Sequence, residues 1–210
     1  HGGGWRVDNI SGLADETAIN ILALHDKYEK TTLLADAEKG NPKLCQSCHE
    51  DPALGAPGVP GVLNFSSAMH GFHANYLKDL YDDACNLCHP SRPEGNTLCA
   101  RGRHAQSGIT CVECHGKMED HGLSLLVLEK SKGKEAANRL MANLKPTAVK
   151  STDQVKGRMP WLNEPDCRSC HTNFDIANDG WDGSDFNKWA AGFEALYRNR
   201  TDNHGVMCIA

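Results

Sequence analysis

Cys-x-x-Cys-His occurs four times in this chain: Cys45-Gln-Ser-Cys48-His49, Cys85-Asn-Leu-Cys88-His89, Cys111-Val-Glu-Cys114-His115 and Cys167-Arg-Ser-Cys170-His171. Each run offers two thiols and an imidazole at the spacing of a c-type haem attachment site. The thiols add to the vinyl groups of the macrocycle as thioethers, and the histidine puts its imidazole on the iron. Two residues between the cysteines let both sulfurs reach one porphyrin edge, while the next side chain turns under the ring. The expected cofactors are four haem c groups with their iron. Cys45, Cys48, Cys85, Cys88, Cys111, Cys114, Cys167 and Cys170 are the anchors, and His49, His89, His115 and His171 the proximal ligands.

The competing chemistry for paired Cys-x-x-Cys is a four-thiolate zinc cage, and four pairs would make two zinc ribbons. Zinc does not need a histidine directly after every second cysteine. With 11 His in 210 residues, four such coincidences have a chance of roughly one in a hundred thousand. A redox dithiol would need one pair on a βαβ pattern rather than four.

Four six-coordinate irons need four distal ligands as well, and seven histidines remain: His1, His25, His70, His73, His104, His121 and His204. Supply exceeds demand, so bis-histidine ligation and low potentials are expected. Methionine is the alternative sixth ligand and would raise the potential; Met69, Met118 and Met159 lie near motifs. A helix read over 11–30 carries His25 in a stripe with Ala18, Ile21, Leu22 and Tyr28. A second, read over 66–83, carries His70 and His73 three apart on one face, beside Met69, Phe72, Tyr76, Leu77 and Leu80. His104 lies in a turn-prone stretch before Cys111, and His121 follows His115 after a short polar loop. His1 and His204 are the less favoured candidates, placed for a haem of a neighbouring subunit or of a missing segment.

The remaining elements are spacers. Residues 50–64 carry Pro52, Gly55, Pro57, Gly58, Pro60 and Gly61 and read as a loop around the first haem. Residues 90–108 read as irregular. A helix without histidine is read over 133–144, a polar connector over 145–165, and a last packing helix over 184–199 with Phe186, Trp189, Phe193, Leu196 and Tyr197. The organisation expected is a single multihaem domain over 1–210: a three-haem cluster at 41–125, a helical connector at 126–165 and a fourth-haem segment at 166–210.

Aromatic residues make up only 6% of the chain, thin core material for its length. Haems, as large flat apolar bodies, would make up the deficit. The fold class expected is therefore a multihaem cytochrome c: mostly irregular loops with several short α-helices packed around haems, and little or no β-sheet. The formal net charge of −5 argues against nucleic acid as a partner. No apolar run approaches membrane-spanning length, so no transmembrane segment is expected. Covalent haem attachment takes place outside the cytoplasm, which makes the protein periplasmic or secreted.

Two cysteines, Cys99 and Cys208, fall outside the motifs. One reading joins them in a disulfide. In the other, Cys208-Ile209-Ala210 opens a fifth motif and the chain is a fragment of a longer one.

Several runs carry a family resemblance: Ile21-Leu-Ala-Leu-His25-Asp26, Cys45-Gln-Ser-Cys48-His49, Ser67-Ala-Met-His70-Gly-Phe-His73-Ala74 and Arg101-Gly-Arg-His104 before Cys111. They resemble the secreted multihaem c-type cytochromes of metal-respiring bacteria, some of which polymerise into conductive filaments. The resemblance runs through most of the chain to Cys170. It implies closely spaced bis-histidine haems and electron transfer to an extracellular acceptor or to redox partner proteins. It also implies self-association or neighbouring multihaem units. His25, one or both of His70 and His73, His104 and His121 would then be the distal ligands.

Two function classes follow. An electron carrier needs every iron saturated by side chains and no substrate pocket. A multihaem reductase, acting on nitrite, hydroxylamine or a sulfur oxyanion, needs one open iron under acid–base groups; the fourth haem is its candidate. The carrier is the expectation, and the chain is not expected to be an enzyme.

Overall fold

Helix-forming runs that are too short and too poor in large apolar residues to stand alone are held here by tight turns and close helix crossings. The computed structural model describes residues 16–80, 83–89, 103–160 and 162–163. They belong to two compact units, one ending at Ser47 and the other beginning at Cys48.

In the first unit, α1 (Glu16–Glu29) packs against α2 (Leu33–Glu38), and a 3-10 turn at Cys45–Ser47 follows. Asp26 makes the corner. Its carboxylate accepts the Thr31 hydroxyl at 2.6 Å and the backbone N–H groups of Leu33 and Leu34 at 2.7 and 2.9 Å. That satisfies donors at the start of α2 that have no intrahelical partner. The stripe expected on α1 is not its buried face. Ile21 and Tyr28 are exposed, whereas Ile19 is 1% exposed.

The second unit is built on α3 (Phe65–Leu77), followed by a 3-10 turn at Lys78–Leu80. The short turns α4 (Asp83–Asn86), α5 (Arg103–Gln106) and α6 (Cys111–His115) come next. Two longer helices, α7 (Met118–Ser131) and α8 (Glu135–Met141), complete it, with a 3-10 turn at Thr152–Gln154. Asn64 caps α3, its side-chain oxygen accepting Ser67 N–H at 2.7 Å. The buried face of α3 is Ser67, Gly71 and Ala74, while Met69, Tyr76 and Leu80 of the expected stripe are exposed. Small residues at i, i+4 and i+7 let α7 come close. A Cβ on Gly71 would stand 2.8 Å from the Leu126 side chain, and one on Gly122 would stand 3.1 Å from Ala74 Cβ and 3.2 Å from the His70 carbonyl oxygen.

Helix α7 is the largest departure from the sequence reading, which had a polar loop leading to His121. Glu119 and Asp120 in the first turn suit a helix N-terminus. Leu123, Leu125 and Leu126 are fully buried. With Leu63, Ala74, Ala84, Met118, Ala137 and Leu144, most of this run forms a small apolar core without an aromatic ring. The helix read over 133–144 is shorter, as α8.

Buried Glu129, at the end of α7, accepts Asn64 N–H at 2.7 Å, Lys134 Nζ at 2.6 Å and Lys132 Nζ at 3.1 Å. It ties the cap of α3 to the α7–α8 corner. Among the described residues the backbone is helical or irregular, with one isolated bridge at Asp51–Ala56 and no strand. No helix among them is long and apolar enough to cross a membrane. The helix read over 184–199 and the fourth-haem segment lie outside the described residues.

Candidate haem-binding site

Each described attachment motif begins in a single helical turn. Cys45–Ser47 is a 3-10 turn, Cys85 lies in α4, and Cys111–His115 forms α6. Within one helical turn the first and fourth residues share a side, as two thioether bonds to one macrocycle edge would need. In the second motif Cys85 O accepts His89 N–H at 2.8 Å and Cys88 N–H at 3.2 Å. In the third, Glu113 reaches back to Thr110, its carboxylate accepting the N–H and the hydroxyl at 2.6 Å each, which starts the turn at Cys111. Cys45, Cys48, Cys88 and Cys114 are exposed, and Cys85 and Cys111 are half-buried.

His49 is wrapped by the loop that follows it. Its Nδ1–H donates to Leu63 O at 2.7 Å, while Val59 N–H donates to Cys48 O and Phe65 N–H to Glu50 O, both at 2.8 Å. Gly58 makes this possible: its φ is +63°, and a Cβ there would lie 2.2 Å from Glu50 N.

The same ring nitrogen is engaged in three further histidines. His70 Nδ1 donates to Ser66 O and His73 Nδ1 to Met69 O, each at 2.8 Å. His25 Nδ1 donates at 2.9 Å to Thr31 Oγ1, whose own proton is given to Asp26. A carbonyl only accepts, so Nδ1 carries a proton, and it is the Nε2 atom that a neutral ring would offer to a metal. This is the tautomer and second-shell bond of a metal-ligating histidine.

Helices α3 and α7 cross beside Gly71 and Gly122, one residue past His70 and His121. The crossing brings those two rings to 4.5 Å between centroids at 74°. Each also faces a motif histidine. His70 and His89 are 6.1 Å apart with planes 9° from parallel, and His115 and His121 are 6.1 Å apart at 80°. Two imidazoles on one metal ion, each nitrogen about 2 Å from it and each ring centre about 1 Å further on, place their centroids about 6 Å apart. Both pairs have that separation, His70 and His89 with stacked planes and His115 and His121 edge to face, so by spacing alone each pair is compatible with one haem between its two rings. Among the described residues no three His, Cys, Asp or Glu side chains converge as a metal cage would need; an axial haem site needs two imidazoles.

Burial favours the neutral form of His70 and His121, the form that can bind iron. It is the chief cause taking His70 down to about 4, helped by the charges of His89, Arg158 and His73 and opposed by the bond to Ser66. Burial, then the charges of His70, Arg158 and His115, hold His121 well below the usual imidazole range. Arg158 is the residue the sequence reading missed. It sits in a stretch read as polar connector, far in sequence from any histidine it touches, and nothing in its local pattern marks it.

His25 lies in the first unit. His104 lies in α5, where its side chain is not among the described parts. Cys167, Cys170, His171, His1, His204, Cys99 and Cys208 fall outside the described residues. Beside the described motifs stand exposed apolar side chains: Leu44 before Cys45 is 75% exposed, and Leu87 between Cys85 and Cys88 is 60% exposed. Comparison with family models, curated proteins and solved structures finds no match for this chain.

Proposed function

We propose that this chain is a multihaem c-type cytochrome that conducts electrons through four covalently held haems, outside the cytoplasm, toward an extracellular or periplasmic acceptor. The observation that carries the reading is the pair of 6.1 Å histidine separations, His70–His89 and His115–His121, each joining an attachment motif to a histidine on a long helix. When bound, haem supplies a one-electron carrier whose potential follows its axial ligands and surroundings.

The chain's own residues do the rest. The cysteines and the following histidine of each motif would hold the haem and its iron. His70 would serve as the second ligand with His89, and His121 with His115. His70 Nδ1 is held by Ser66 O at 2.8 Å, and α3 and α7 hold the two rings 4.5 Å apart. That contact brings two carriers together without a moving part. His25, His73 and His104 are the distal candidates for the other irons. Exposed Leu44, Leu87 and Ile109 supply apolar surface for the rings to cover.

Carbon monoxide added to the dithionite-reduced holoprotein tests saturation of the irons. An unchanged visible spectrum is expected of a conduit. An adduct on a fraction of the haem would favour a reductase with an open iron.

A further inference from the structure

Arg158 belongs to no attachment motif, yet it is fastened to the helix that carries His121. Its backbone N–H donates to Ser124 O at 3.0 Å and its Nε–H to Ser124 Oγ at 2.9 Å, while that hydroxyl donates to His121 O at 2.8 Å. Gly157 lets the segment lie this close, since a Cβ there would come 3.0 Å from Leu128 N. The guanidinium Nη2 is then 2.8 Å from Nδ1 and 3.1 Å from Nε2 of the His121 ring. One atom that near to both nitrogens cannot lie along either in-plane direction without striking the carbon between them. It rests against the ring face, and the outward line from Nε2 stays clear of it.

We propose that Arg158 is a positioning residue for the distal ligand His121: it holds the plane of that imidazole and, as a fixed cation, raises the reduction potential of the haem that His121 ligates. The inference rests on the haem reading above. Adding one electron lowers the charge of a site by one, so a neighbouring positive charge favours the reduced form, and more so where water screens it poorly. Arginine keeps its charge at any working pH, and its planar fork suits a grip on Ser124 and a flat stack on an imidazole.

The test is a visible spectroelectrochemical titration of the holoprotein, with low-temperature electron paramagnetic resonance of the oxidised form. In Arg158→Gln one of the four components is expected to fall by a tenfold change in its reduction equilibrium or more, about 59 mV, with the other three unmoved. Arg158→Lys keeps the charge and loses the fork. It is expected to hold the potential within that tenfold range and to shift the resonance of the near-perpendicular ligand pair. Should Arg158→Gln fail to load haem, Ser124→Ala decides: it removes the anchor of Nε, and a smaller fall of the same component is expected. A fully loaded Arg158→Gln that titrates like the parent, or a Ser124→Ala that does so when Arg158→Gln cannot be loaded, overturns the role of Arg158 and leaves the haem reading standing. A parent protein without covalent haem overturns both.

Discussion

A histidine becomes a good axial ligand when its proton is parked on one nitrogen and its plane is fixed, and short bonds to nearby acceptors do this in both units. The bonds of His25, His70 and His73 are local, each to an acceptor within six residues, whereas that of His49 reaches Leu63 O across the loop that follows it. The angles then have a spectroscopic consequence. The His70–His89 planes are 9° apart and those of His115–His121 are 80° apart. Oxidised holoprotein is therefore expected to show both a rhombic low-spin resonance and a highly anisotropic one; a single type would contradict these two pairings. Gly58 is the backbone counterpart. Gly58→Ala forces a left-handed residue, costing about 1–3 kcal/mol, and drives a Cβ into the Glu50 backbone. Lower denaturant stability and weaker loading of the first motif are expected, and unchanged stability would show that the loop does not hold His49. At this scale the sequence speaks most directly: the Cys-x-x-Cys-His runs stand out by spacing, His121 by following His115, and His70 by sharing a helix face with His73. Arg158 was not legible, because it meets its ring only through the return of a segment 37 positions away.

Elements are where pattern reading failed, and the reason is the size of the residues in contact. A stripe of Met69, Phe72, Tyr76 and Leu80 looks like a core face, but α3 buries Ser67, Gly71 and Ala74 against α7. Periodicity counts large apolar side chains, and a crossing made by glycine and alanine has none to count. The same blindness hid α7, in which Gly122 and a run of charges precede the leucines. Gly122→Val is expected to cost about 1–3 kcal/mol through overpacking, since Ala74 Cβ and the His70 carbonyl cannot move aside. It should also pull His70 from His121, seen as loss of the resonances assigned above; a variant as stable as the parent would show that the helices do not need this approach. Glu129 sets the other end of α7. Burial raises its carboxyl, but the bonds from Lys134, Asn64 and Lys132 outweigh that, and its pKa is lowered from 4.5. Its stabilising contribution is full above 4.5 and is lost as pH falls through the lowered value. Glu129→Gln leaves half-buried Lys134 beside a neutral group, with the Glu50 carboxylate still 3.8 Å away, at a cost of about 1–3 kcal/mol. Urea midpoints measured from pH 7 to pH 3 are expected to fall less steeply in the variant. Parallel curves would remove Glu129 from the acid transition.

On the scale of the whole molecule, a thin apolar core and exposed leucines beside the motifs belong together. Leu44, Leu54, Leu87 and Ile109 are left at the surface, and the small core of Ala, Leu and Met holds α3, α7 and α8 without reaching them. The sequence reading expected mostly irregular loops with short helices and little or no β-sheet. The described residues carry no strand, in line with that, but they are mostly helical, because close approaches at Gly71 and Gly122 let short runs pack as helices. The measurement that bears most directly on the reading is the intact mass of the acid-denatured protein, taken with its alkaline pyridine haemochrome spectrum. Expected are a mass above that of the polypeptide by four haems and the spectrum of thioether-linked haem. The bare polypeptide mass, with zinc in the native protein, would contradict it.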